Sequence, residues 1–173
     1  MTLARRLAVV MLAAMPGATA SQDVSAEYRV KAAYLYNFVK FVEWPGESSS
    51  LTICVAGRRV FGTLLEDIVR GEAVDNRRLD AREILEPDDG CHVVFVPEGA
   101  AASAYLRAAR GRPVLTVGET SAFMAQGGIA RFYIDAGNVR FEINPAAAEQ
   151  AGLRISSRLL QLARIVGSPG TPP

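Results

Sequence analysis

The chain has 173 residues, carries 19 Lys+Arg against 18 Asp+Glu, and is 50% hydrophobic with 8% aromatic residues. Such a charge balance excludes nucleic acid or an acidic membrane surface as the main partner. Length and apolar content fit one domain with a real core rather than two domains.

Residues 1–20, MTLARRLAVVMLAAMPGATA, combine Arg5 and Arg6, an apolar run from Leu7 to Met15, and an Ala18-Thr19-Ala20 cleavage pattern. These are the three regions of a secretory signal peptide. The run is short of the ~20 residues that span a bilayer. Cleavage after Ala20 predicts a mature chain from Ser21 with 17 basic against 18 acidic residues, net −1, working outside the cytoplasm. No cysteine follows the cut, so a lipid anchor there is not expected. One domain over 21–166 and a Gly/Pro-rich tail over 167–173 complete the predicted organisation.

Ser25 to Trp44 reads as a long helix closed by Pro45-Gly46, with Tyr28, Leu35, Val39 and Val42 on one stripe and Tyr34, Phe38 and Phe41 on a second. The second stripe has two readings: cover by the C-terminal helix, or a protein interface, where aromatic residues are enriched. Leu51–Ala56 is a continuous apolar strand of the kind buried on both faces, and Val60–Val69 a helix. Arg77–Ile84 is a more polar strand near the sheet edge, and His92–Val96 a second buried strand. A helix over 100–110, a strand over 113–117 and a short helix over 120–126 follow. Ile129–Asp135 and Val139–Asn144 alternate around Ala136-Gly137-Asn138, a hairpin signal. Asn144-Pro145 supplies an N-cap and first-turn proline for a helix over 146–151. A last helix starts at Ser156 and carries Leu159, Leu160, Leu162, Ala163 and Val166. Alternating strands and helices predict a three-layer, flavodoxin-like, mostly parallel α/β sheet with a C-terminal antiparallel hairpin.

Cys54 and Cys91 are the two cysteines. An even count in an exported chain favours a disulfide, which would close a loop worth roughly 4 kcal/mol in the chain-entropy model. Two separate buried thiols are the other reading, because neighbouring parallel strands give poor disulfide geometry.

Little in the chain carries chemistry. His92, the single histidine, starts a buried strand and reads as structural. No zinc spacing or nucleophile elbow is present, so neither a catalytic residue nor a metal ligand nor a cofactor site is predicted. Glu27, Glu43, Glu142 and Glu149 read as solvated single carboxylates. Arg58 and Arg59 follow the first strand and open a helix, where an anionic metabolite could bind; the turn lacks a phosphate-loop lysine and G-x-G-x-x-G spacing. This small-ligand module is the alternative to a protein-binding function. A hydrolase is the third class, and it would need His92 exposed beside a serine.

Five stretches carry a family resemblance: AEYRVKAAYLYNFVKFVEWP (26–45), LTICVAG (51–57), CHVVFV (91–96), RPVLTVGE (112–119) and GGIARFYIDAGNVRFEINPAAAEQAGLRISSRLLQLARIV (127–166). In this order the chain resembles the YfiR-like periplasmic regulators. The resemblance implies a non-enzymatic homodimer that represses the periplasmic sensor region of an inner-membrane diguanylate cyclase, thereby controlling cyclic-di-GMP signalling. It also implies sequestration by an OmpA-like outer-membrane lipoprotein. Cys54 and Cys91 look like the family's widely spaced pair. The second, close pair is absent, since Gln126 and Tyr133 occupy that region, so redox control through it does not carry over. The expected partner surface is the hairpin, through Phe132, Arg131 and Tyr133, with Tyr34 and Phe38 of the first helix.

Overall fold

A computed structural model describes residues 24–57 and 59–167. The signal-peptide reading, Arg58 and the tail beyond Gly167 lie outside the described residues.

Helix α1 (Ala26–Phe41) begins at Ser25, whose hydroxyl accepts from the Tyr28 amide at 3.3 Å. It ends three residues earlier than its apolar pattern predicts. Val42 turns extended, and β1 (Val42–Glu43) pairs antiparallel with β9 (Arg154–Ile155). Pro45 disfavours helix at Trp44 and explains the early exit. Strands β2 (Ser50–Ala56), β4 (Arg77–Ile84), β5 (Val93–Phe95), β6 (Leu115–Gly118) and β7 (Ala130–Asp135) form a parallel core in the spatial order β7-β6-β5-β2-β4. This is the flavodoxin-like order the sequence predicts. Antiparallel β3 (Ala73–Val74) extends one edge, and β8 (Asn138–Ile143) with β10 (Arg164–Ile165) the other.

Period-2 alternation divides each strand between two cores. Leu51, Ile53 and Val55 of β2 face α1 and α2 (Leu64–Val69), while Cys54 and Ala56 face α3 (Ala102–Ala109) and α4 (Ser121–Ala125). The helix predicted from Val60 starts at Leu64, because Gly62 sits at φ +56°, outside the α region. Gly118 and Gly128 make room for Phe123, whose ring occupies the space where their Cβ atoms would stand.

Helix α5 (Pro145–Gln150) carries the predicted cap, with Asn144 Oδ1 accepting from the Ala147 amide at 3.1 Å. The last helix, α6 (Ser157–Leu162), is shorter than expected. The chain becomes extended at Ala163 and returns to the sheet edge as β10, where the Val166 amide donates to the Ile143 carbonyl.

Cys54 and Cys91 are joined, with Cα atoms 5.7 Å apart. The ladder partner of Cys54 is Val94, so the bond runs from β2 to the turn before β5 and avoids the poor geometry of laddered neighbours. It clamps the crossover from β4 to β5, which lacks a helix of its own. Replacing both cysteines with alanine should lower unfolding free energy by about 4 kcal/mol; a urea titration of the double variant against the oxidised parent checks this.

Candidate functional site

In open α/β sheets, ligands bind beyond the carboxyl ends of the strands. Here that crevice is filled from within. Lys31 of α1 is buried and donates to Glu119, just past β6, at 2.5 Å and to Glu27 one helical turn back. Glu119 also accepts from the Tyr28 hydroxyl at 3.4 Å and from the Glu98 amide at 2.5 Å. The Lys31 ammonium lies 4.6 Å from the Tyr28 ring centroid, and Tyr28 meets Phe61 edge-on at 5.5 Å. Burial and the Glu119 carboxylate both raise the Tyr28 phenol above its ordinary range. The cluster satisfies its own charges. Its i,i+4 pair Glu27–Lys31 was readable in the sequence, but nothing in the sequence marked Glu119 as the third member. Glu27 is therefore paired rather than a lone solvated carboxylate.

The turn expected to bind an anion is described only in part. Arg58 lies outside the described residues. Arg59 is exposed and faces the Glu83 carboxylate at 3.9 Å, so part of its charge is already met. His92 is half-buried, its Nδ1 accepts from the Thr52 amide at 3.2 Å, and its backbone carbonyl accepts from Trp44 Nε1. Burial, then Arg77 and Arg112, hold its imidazole below the ordinary value, as befits an acceptor nitrogen. Among the described residues, no group of three His, Cys, Asp or Glu side chains could hold a metal ion.

The predicted partner residues separate into two sets. Phe132 and Phe38 are each 1% exposed. Their rings stack at 5.7 Å and both meet the hairpin and helix aromatics, Phe38 packing edge-on against Phe141 at 5.1 Å. Neither can offer its side chain to a partner in this fold. The alternation of the hairpin turns Phe132 toward α1, and the apolar stripe of α1 covers it. Tyr34 is partly buried, 5.9 Å from Phe132 and 5.1 Å from Phe141. It lines a groove of about 440 Å³ with Val30, Ile134, Val139 and Arg140.

Arg131 and Tyr133 point the other way. Across the hairpin Arg131 stands opposite Glu142, and across the next ladder Glu142 stands opposite Arg164. Arg131 Nε donates to Glu142 Oε1 at 2.5 Å and Arg164 Nε to Oε2 at 2.9 Å. Both guanidiniums also lie against the Tyr133 ring, at 4.4 Å for Arg164 and 5.6 Å for Arg131. Glu142, expected on the surface, is 4% exposed beneath this cover. Burial alone would raise its pKa, but hydrogen bonds from Arg131 and Arg164 outweigh that and hold it below the ordinary carboxylate value.

The strand order and the three-layer architecture define a flavodoxin-like α/β domain with the Lys31–Glu119–Tyr28 cluster beyond the carboxyl ends of its strands. The YfiR/HmsC-like family model matches residues 28–164, and the chain belongs to that family. It is a family of periplasmic regulators of diguanylate cyclase signalling, regulatory rather than catalytic, and points to a protein partner within that pathway. Among solved structures, the crystal structure of a conserved domain protein from Vibrio cholerae O1 biovar El Tor str. N16961 is similar at 16% identity and a TM-score of 0.49, over 79% of this chain. This chain spans 59% of the length of that protein's chain. No helix among the described residues is long and apolar enough to cross a membrane, and the disulfide accords with an oxidising compartment.

Two outcomes follow from the placement of these residues. Phe132→Ala should cost about 3–5 kcal/mol of stability, the range for a buried phenylalanine, measured by chemical denaturation. Glu142→Gln should cost about 1–3 kcal/mol near neutral pH, less than for a fully buried pair because Arg164 is half exposed. With its folded pKa depressed, Glu142 contributes stability above its unfolded value, and this is lost as pH falls through the folded value. The wild type should therefore lose stability on acidification below the ordinary carboxylate range more steeply than Glu142→Gln, as read from denaturation midpoints across pH.

Proposed function

We propose that this protein is a periplasmic repressor that binds the periplasmic sensor region of an inner-membrane diguanylate cyclase and holds it inactive. Membership of the YfiR/HmsC-like family over residues 28–164 carries this reading. The filled crevice supports it, since a domain that occupies its own ligand position with Lys31, Tyr28 and Phe61 is suited to recognition at its outer faces. The mechanism is population shift: the protein binds one conformation of the sensor region and thereby disfavours the signalling one. A ratio of about 10⁴ between its affinities for the two conformations would carry the cyclase from almost fully active to almost fully silent.

The contact surface in this reading is the hairpin, through Arg131 and Tyr133, together with Tyr34 on the groove beside it. Phe132 and Phe38 support that surface from beneath. The repressor acts as a homodimer, and an OmpA-like outer-membrane lipoprotein relieves repression by sequestering it. A signal peptide over 1–20 directs export of the domain over 21–166.

The test is affinity capture with tagged protein from detergent-solubilised membranes, followed by mass spectrometry. Recovery of a membrane diguanylate cyclase with a periplasmic sensor region is the expected result. A reproducible capture lacking any cyclase would refute the target, and cyclase activity unchanged by adding the protein would refute repression.

A further inference from the structure

The sheet region built from β7, β8 and β10 has two unlike sides. The α1 side holds Phe132, Phe141 and Ile143 in the main core. The other side belongs to neither hydrophobic core. Its cover consists of arginine stems and one tyrosine ring lying over a buried carboxylate.

The arrangement of donors on that side is lopsided. Glu142 takes Nε of Arg131 and Nε and Nη2 of Arg164. The Nη groups of Arg131 and Nη1 of Arg164 form no hydrogen bond to protein among the described residues. Arg140 lies directly opposite Tyr133 in the ladder, is exposed, and makes no ion pair among the described residues. Asp135, at the end of the hairpin, is a carboxylate on the same strand face and acts on Arg164. The guanidiniums of Arg131 and Arg164 are fixed in orientation by Glu142 and the Tyr133 ring, and Arg140 stands beside them at the ladder position opposite Tyr133. Guanidinium forks held in place are suited to bidentate carboxylate recognition with little ordering cost.

We infer that this face is a docking surface for an acidic segment of a protein partner, whose carboxylates engage Arg131, Arg140 and Arg164 while an apolar or aromatic side chain lies on Tyr133. The inference rests on the protein-binding reading above and adds to it the chemistry of what is bound. Arg–Glu–Arg pairing alone would explain Arg131 and Arg164 as a lid for the sheet. It does not explain Arg140, which makes no ion pair among the described residues and stands on the same strand face. Acidic-motif recognition by arginine clusters is an established binding mode.

The experiment uses the purified protein and a fluorescently labelled hexaglutamate peptide, with hexaglutamine as the neutral control. The acidic peptide should bind measurably and the neutral one should not. Affinity should fall at least about tenfold between about 20 and about 200 mM salt, as the Debye length shrinks from roughly 20 to 7 Å. Arg140→Glu should weaken binding by about tenfold or more with folding intact, since the side chain is exposed, whereas Arg110→Glu, just past the end of α3, should leave it unchanged. Amide shift changes in an NMR titration should centre on Arg131, Tyr133, Arg140 and Arg164.

Absence of binding, equal weakening by Arg110→Glu, or shift changes centred elsewhere would overturn the inference. None of these readouts involves a cyclase, so they leave the repressor reading to its own test. Conversely, a cyclase captured equally well by wild type and Arg140→Glu would remove this face from the interface and leave the repressor reading standing.

Discussion

The arrangement of this molecule depends on the aromatic seam between α1 and the hairpin. Phe38 stacks on Phe132, Phe141 packs edge-on against Phe38 and Tyr34, and Phe95 of the central sheet joins Phe132 at 6.0 Å. These rings bury large apolar areas, and their tilted and edge-on contacts add pairwise energy beyond burial. They fix α1 against the hairpin, and Phe132 ties that seam to Phe95 of the parallel strands. With α1 so placed, Tyr28 and Lys31 in its first two turns reach Glu119 and fill the crevice at the carboxyl ends. The same seam commits one side of the hairpin to the core, and its other side must be covered by something else.

What covers it is charge rather than a helix. A sheet face left without a helix needs some means of excluding water from its backbone and of avoiding an open edge. The Arg131–Glu142–Arg164 ladder does both: arginine stems shield the face, and Arg164 brings the chain back to pair β10 with β8. The strand is two residues long, so main-chain bonds alone hold it weakly. Its side-chain pairing is therefore central to the closure of this edge. The apolar pattern alone continued the helix to Val166, whereas α6 ends at Leu162 and the chain runs extended into the strand that carries Arg164 to Glu142.

The parts of the fold set by local periodicity were legible in the sequence. The strands over 51–56 and 77–84, the hairpin, the Asn144-Pro145 cap and the flavodoxin-like order all followed from apolar runs, alternation, turn residues and the rule of right-handed crossovers. Less legible were features decided by contacts distant in the chain. The two-residue strands β1 and β9 exist because Val42 and Ile155 meet across the end of the sheet. The disulfide escapes its geometric objection because Cys91 precedes its strand, a displacement that spacing does not reveal. For the candidate surface, alternation separated Phe132 from Arg131 and Tyr133 correctly but did not say which side α1 would cover. Once the Ala136-Gly137 turn fixes the register, the Arg131–Glu142 pairing follows from counting back along both strands. Arg164, brought in from another element, does not.

The distribution of polar groups bears on what kind of partner suits this domain. The Lys31 cluster and the Glu142 ladder both use buried charge, yet they differ in what they leave over. At the crevice Lys31 meets two carboxylates, Glu119 also takes a phenol and an amide, and the result is closed. On the hairpin, two arginines share one carboxylate and a third pairs with none among the described residues, so donors remain after these bonds are made. A surplus of oriented donors on a stiff β surface loses little entropy on binding and discriminates strongly against partners lacking acceptors. Charges at the rim of such a surface act mainly on encounter rate and selectivity, while affinity comes from what packs at its centre. Tyr133, beside the guanidiniums of Arg131 and Arg164, is the group placed to supply that packing.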